Sequence, residues 1–88
     1  MDLENEFKDA VDRSSTITQK PTNEELLKLY ALYKQISEGD ITGDRPGGFD
    51  FKGVAKYDAW HELKGQDKNQ CMNEYIQLVN SLIEKYNH

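Results

Sequence analysis

"TNEELLKLYALYKQIS", residues 22–37, is the stretch that decides how this 88-residue chain folds. Thr22 precedes Glu25 by three positions, directly after Pro21, which is the spacing of a reciprocal helix cap. A helix opening there runs to about Ser37, and Gly39 supplies its stop. At about 100° per residue its apolar side chains fall into two arcs. Leu29, Leu32 and Ile36 make one, while Leu26, Leu27, Tyr30, Tyr33 and Lys34 make the other, within about a third of the circumference. A helix with one apolar stripe needs one partner. A helix with two is wedged between partners or lines something.

Three further helical patterns flank it. Residues 2–14 place Leu3, Phe7, Ala10 and Val11 on one stripe, which fades at "SSTITQKP". Residues 51–63 carry Ala55, Ala59 and Leu63 at i, i+4 and i+8, flanked by Lys52, Lys56 and Trp60, with Gly65 as terminator. The last opens at Asp67, with Gln70 in the capping position, and reaches Tyr86 through Cys71, Met72, Tyr75, Ile76, Val79, Leu82 and Ile83. This is the longest and cleanest amphipathic pattern, and it is expected to organise the bundle with the first helix packed along it. Between the second and third helices, "EGDITGDRPGGFD" at residues 38–50 reads as a long loop. Four helices with no strand pattern predict an all-α bundle. The long third connection permits an order other than up-down-up-down.

Composition narrows the function. Charged residues make up 31% of the chain and hydrophobic residues 36%, in keeping with one soluble domain spanning residues 1–88. No run is long and apolar enough to cross a bilayer, and "MDLENEFKD" lacks the basic-then-apolar layout of a signal peptide. The expected setting is the cytoplasm, without stable membrane insertion. A net charge of −5 argues against nucleic-acid partners, which need a broad basic surface. The single cysteine, Cys71, excludes an intrachain disulfide and a multi-cysteine zinc site, and its place on an apolar face reads as a structural thiol.

No catalytic constellation is legible. His61 and His88 lack partners at useful spacing, and no nucleophile elbow or dinucleotide fingerprint is present. "GDRPGG" follows no strand, so it is not a phosphate cradle. Asp40, Thr42 and Asp44 occupy calcium-loop positions, but Arg45 falls where glycine is required and Phe51 where glutamate is. What remains is Tyr30, Tyr33 and Lys34 on the second helix, Lys52 and Lys56 on the third, and Tyr75 on the fourth. Singly, such tyrosines are ordinary core residues and such lysines ordinary solvated ones. Together, lysines bordering apolar surface on two helices would converge on one anion beside a greasy groove. That pattern describes an amphiphile with a phosphate-bearing head.

"LYALYKQ", "GD", "RPG", "DFKG", "AKYDAWHELKG" and "YIQLV" follow one another in the order and spacing of a known family. From Phe7 to about Tyr86 the chain resembles the acyl-CoA-binding proteins. The resemblance implies an up-down-down-up four-helix bundle that binds, pools and transports medium- to long-chain acyl-CoA esters without chemistry. It implies no cofactor and no metal, and the expected state is a monomer. Carried over by position, Tyr30, Lys34 and Lys56 would hold the 3′-phosphate of the ligand. Tyr33 and Tyr75 would meet its adenine–ribose end, and Leu26 and Leu27 would line the acyl channel. Ser15, with Arg13 nearby, occupies the ligand-binding place on the first helix where the family commonly has a lysine. Tyr57 replaces a tryptophan of the family's third helix, and Val54 replaces a frequent lysine. Two other readings compete: a helical module that docks a protein through the same surface, and a thioesterase, which lacks an assembled nucleophile or base.

Overall fold

The computed structural model describes residues 2–87 as four helices: α1 (Leu3–Ser14), α2 (Asn23–Glu38), α3 (Phe51–His61) and α4 (Lys68–Tyr86). Among the described residues there is no strand. His88 lies outside them.

Local chemistry sets the ends of the helices. Thr22 and Glu25 close the expected reciprocal cap: the Thr22 N–H donates to Glu25 Oε1 at 2.8 Å and the Glu25 N–H to Thr22 Oγ1 at 3.1 Å. Asp2, Asp50 and Asp67 cap the other three helices, each accepting a backbone N–H from three residues on. Gly39 stops α2 at φ 82°, a left-handed backbone that costs a side chain dearly and glycine little. The sequence places the end of the third helix near residue 63, but α3 stops at His61. There the chain tightens into i→i−3 bonds, Leu63 N–H to the Trp60 carbonyl and Lys64 N–H to that of His61. The tightening drops Leu63 into the core at 3% exposure and presents Gly65 at φ 86° for the turn into α4.

Packing follows the two arcs of α2. The α4 helix lies along both α1 and α2, and α3 packs only on α2 among the described helices. The core gathers Ala10, Ala31, Leu32, Ile36, Leu63, Cys71, Met72, Tyr75 and Val79, so the Leu32–Ile36 arc of α2 is the one turned to the core that α4 completes. Cross-helix pairs give the directions. Phe7 meets Tyr75, and Arg13 bonds Asn80, so α1 and α4 run parallel. Glu25, near the start of α2, bonds Lys85 and Tyr86 at the end of α4, so these two are antiparallel. Lys56 sits over Tyr30, and Lys34 over Trp60, so α2 and α3 run side by side in the same direction. The bundle is up-down-down-up.

The outlying helix is α3, which buries no residue completely. It is held by polar ties and by Ala59 and the Trp60 indole, which pack against the core. Arg45 in the loop forks onto Asp58 through two bonds of 2.9 Å, and the Tyr57 hydroxyl donates to the Gly43 carbonyl at 3.2 Å. Trp60 Nε1–H is shared between the Gly39 carbonyl at 3.0 Å and Gln35 Oε1 at 3.2 Å. Gln35, only 4% exposed, passes the link on through its amide N–H to Asp40 Oδ1 at 2.8 Å. The same Asp40 oxygen accepts the Gly65 N–H at 2.8 Å. This chain of bonds ties the end of α2, the long loop and the end of α3 together. It leaves the first turns of α3 standing away from α2.

Candidate functional site

The gap between α2 and the first turns of α3 is an open groove of about 450 Å³. Leu26, Leu27 and Tyr30 line it from α2, facing Phe51, Lys52, Ala55 and Lys56 from α3. Lys20 and Asn23 close the end near the start of α2. From Asn23 to Tyr30 the wall runs roughly 10 Å at 1.5 Å per residue. The floor is aliphatic, and polar groups sit at both ends.

At the Tyr30 end, Lys56 Nζ lies 5.2 Å from the Tyr30 ring centroid. Among the described residues it joins no ion pair, so its charge faces an aromatic surface and solvent. Lys34, one turn along α2, reaches the other way across the seam. Its ammonium lies 5.1 Å from the Trp60 centroid and forms an ion pair with Glu38. Its pKa is held above the ordinary lysine value, chiefly by the Glu38 carboxylate. Two lysines from two helices thus flank the same α2–α3 seam, each laid over an aromatic ring of the opposite helix.

The other expected positions lie elsewhere. Tyr33 is 44% exposed but turns toward α1, its ring 6.1 Å from that of Phe7. It lines a smaller cavity of about 230 Å³ with Phe7, Ile36 and Met72. Tyr75 is 5% exposed, set edge-on to Phe7 at 5.1 Å, and burial pushes its phenol pKa up. Ser15 is exposed as the C-cap of α1, and its hydroxyl donates to the Asp12 carbonyl at 2.7 Å. None of the three lines the groove.

The groove also holds residues that the sequence did not single out: Lys20, Asn23 and Phe51. Phe51 is 78% exposed and Phe49, two residues earlier, is fully so. Phe51 stands four residues before Ala55 and so extends the Ala55–Ala59–Leu63 stripe by one turn; a large exposed aromatic there, where the stripe is otherwise small, was the available sign that this end of α3 borders something other than the core. Asp50 caps the helix between them, its Oδ1 accepting the Gly53 N–H at 3.0 Å. A Cβ on residue 53 would collide with that carboxylate, which gives the glycine of "DFKG" a physical reason.

An apolar trench with aromatic and cationic groups at its rim is the kind of surface that suits an amphiphilic anion. Comparison with known proteins gives the family. A match to the acyl CoA binding protein family spans residues 4–79. The chain is 51% identical over 80 residues to acyl-CoA-binding protein homolog 1 of Caenorhabditis elegans, covering 91% of this chain and 93% of that one. It is 43% identical over 84 residues to acyl-CoA-binding domain-containing protein 6 of Arabidopsis thaliana, covering 96% and 91%. In three dimensions it is similar to the crystal structure of Oryza sativa acyl-CoA-binding protein 2, with a TM-score of 0.89 at 38% identity over 96% of this chain and 93% of that one. The yeast acyl coenzyme A binding protein in solution gives 0.72 at 41% identity, covering 93% and 95%. The chain belongs to the acyl-CoA-binding protein family.

Proposed function

We propose that this chain binds medium- to long-chain acyl-CoA esters without converting them, and pools and carries them in the cytoplasm as a single-domain monomer. The observation that carries this reading is the groove itself, with Leu26, Leu27 and Ala55 as its floor and Tyr30 with Lys56 at one end. In this reading the acyl chain lies along the floor. Tyr30, Lys34 and Lys56 hold the 3′-phosphate at the α2–α3 seam, and Tyr33 and Tyr75 serve the adenine–ribose end. Ser15 marks the edge of the head-group region on α1. The chemistry expected at the α2–α3 seam supports the assignment. Phosphate oxygens accept from ammonium and phenol donors, and such charge-assisted bonds contribute about 1.5–3 kcal/mol each. No helix among the described residues is long and apolar enough to cross a membrane, in keeping with a carrier.

The tail supplies strength. A fully buried methylene contributes about 0.8 kcal/mol, and a trench open on one side realises roughly half of that. The eight methylenes by which palmitoyl exceeds octanoyl would then tighten binding roughly two-hundredfold. Calorimetric titration with octanoyl-CoA, palmitoyl-CoA and palmitoyl-dephospho-CoA tests both halves. Palmitoyl-CoA should bind tightest, octanoyl-CoA far less well, and loss of the 3′-phosphate should weaken the palmitoyl ester at least tenfold. Equal affinity for all three esters would remove the groove and the lysines from the mechanism together. Release of free thiol from palmitoyl-CoA during the titration would turn the reading from carrier to thioesterase.

A further inference from the structure

Lys34 already has an anion. Its ammonium pairs with Glu38 one turn on, at the last residue of α2. Local physics does not ask for a carboxylate there. The C-terminal end of a helix carries partial negative charge, so an acid in its last turn is disfavoured. The order Lys then Glu is also the weaker sense of the i,i+4 pair. No basic residue in the last turn of α2 offsets it. Both members keep solvent access, with side chains 26% and 52% exposed, so the pair can open without disturbing the core. Lys56, by contrast, is laid on Tyr30 with no carboxylate partner among the described residues.

We infer that Glu38 is an internal competitor for the ligand's phosphate, and that it sets affinity and selectivity through Lys34. This rests on the proposed acyl-CoA reading. Without ligand, Lys34 stays on Glu38 above Trp60. When a phosphate dianion reaches the seam, Lys34 exchanges its carboxylate for the phosphate, and Glu38 is left as a nearby like charge. Glu38 therefore opposes binding twice, through the pair that must open and through repulsion of the bound anion. It acts on Lys34 and is a specificity-determining residue without touching the ligand.

The test is Glu38→Gln, with Glu38→Ala as a second variant that keeps the outcome independent of a new amide contact. Opening an exposed i,i+4 pair accounts for about twofold in affinity, and relief of screened repulsion for about twofold more. Palmitoyl-CoA should therefore bind about fourfold tighter at low salt, with the gain shrinking at high salt. Palmitoyl-dephospho-CoA should be unaffected. In a Lys34→Met background the gain should fall to about twofold, because only repulsion remains. Two results overturn the inference: no tightening by either variant while the unaltered protein still distinguishes the two esters, or equal tightening for both esters. If the unaltered protein does not distinguish them, the acyl-CoA head-group reading fails first and the inference falls with it.

Discussion

Replacing Trp60 by phenylalanine should loosen the α2–α3 seam by an amount the hydrogen bonds allow one to work out. The indole N–H is the shared donor to the Gly39 carbonyl and to Gln35 Oε1. Phenylalanine keeps an aromatic face beneath Lys34 but removes that donor. Gln35 is buried, so its oxygen loses a partner that water cannot readily replace. A buried acceptor left unpaired costs about 1–3 kcal/mol, and the Gly39 carbonyl, being partly exposed, adds little. A loss of about 2 kcal/mol in a domain of this size lowers Tm by about 8–16 °C. Far-ultraviolet circular dichroism reads the melt without relying on the lost tryptophan. The companion Gln35→Leu should destabilise as well. The double variant should be less damaged than the sum of the two, because Gln35→Leu already removes the acceptor that Trp60→Phe would leave unpaired. A drop of less than about 3 °C, or strict additivity, would refute the claim that this bond fastens α3 to α2.

The remaining expectations are briefer. Lys56→Met keeps the stem over Tyr30 and removes the charge; palmitoyl-CoA should bind about tenfold more weakly with little change in Tm, while the dephospho ester changes little. Glu25 accepts from the Tyr86 hydroxyl, the Thr22 N–H and Lys85, which together pull its pKa from 4.5 down to about 2. The folded pKa lies below the unfolded one, so its contribution is complete above about pH 4.5 and is lost as pH falls toward 2. Glu25→Gln should flatten the acid limb of a Tm–pH profile, and an unchanged limb would remove Glu25 from it. Because α3 buries no residue fully while α4 buries five, hydrogen exchange should be fastest in the first turns of α3 and slowest in the middle of α4. Palmitoyl-CoA should slow exchange at residues 51–56; protection confined to α4 would place the ligand elsewhere.

The fold was legible because each helix carries its own instructions. Thr22 with Glu25, Asp67 before α4, and Gly39 and Gly65 are local signals whose geometry needs no partner. The miss at the end of α3 came from a tertiary demand. Leu63 continues the alanine stripe in helical register, yet it reaches the core only because the chain tightens after His61. The site was legible in part. Leu26, Leu27, Tyr30 and Lys56 share one groove, as an apolar arc beside a basic edge led one to expect. Tyr33 lies on the same arc of α2 but is drawn to Phe7 of α1, and the sequence had no sign of that. Lys20 was missed because it sits in the connection before α2, outside any periodic stripe, and Phe51 because the stripe was read from Ala55 onward although Phe51 precedes it by one turn.

By itself the sequence determined the number of helices, their caps, and the two-sided character of α2. These depend on angles about one helix axis and on neighbours within a turn. Only the tertiary structure decided that α2 and α3 run in parallel with a trench between them. It also decided that Lys56 lies on Tyr30 while Lys34 is held by Glu38 over Trp60. Distances between side chains on different helices depend on how far one axis is slid and tilted against another. Here that offset is fixed by Trp60, Gln35, Asp40 and Gly65, four residues from separate segments whose bonds exist only once the chain has closed on itself.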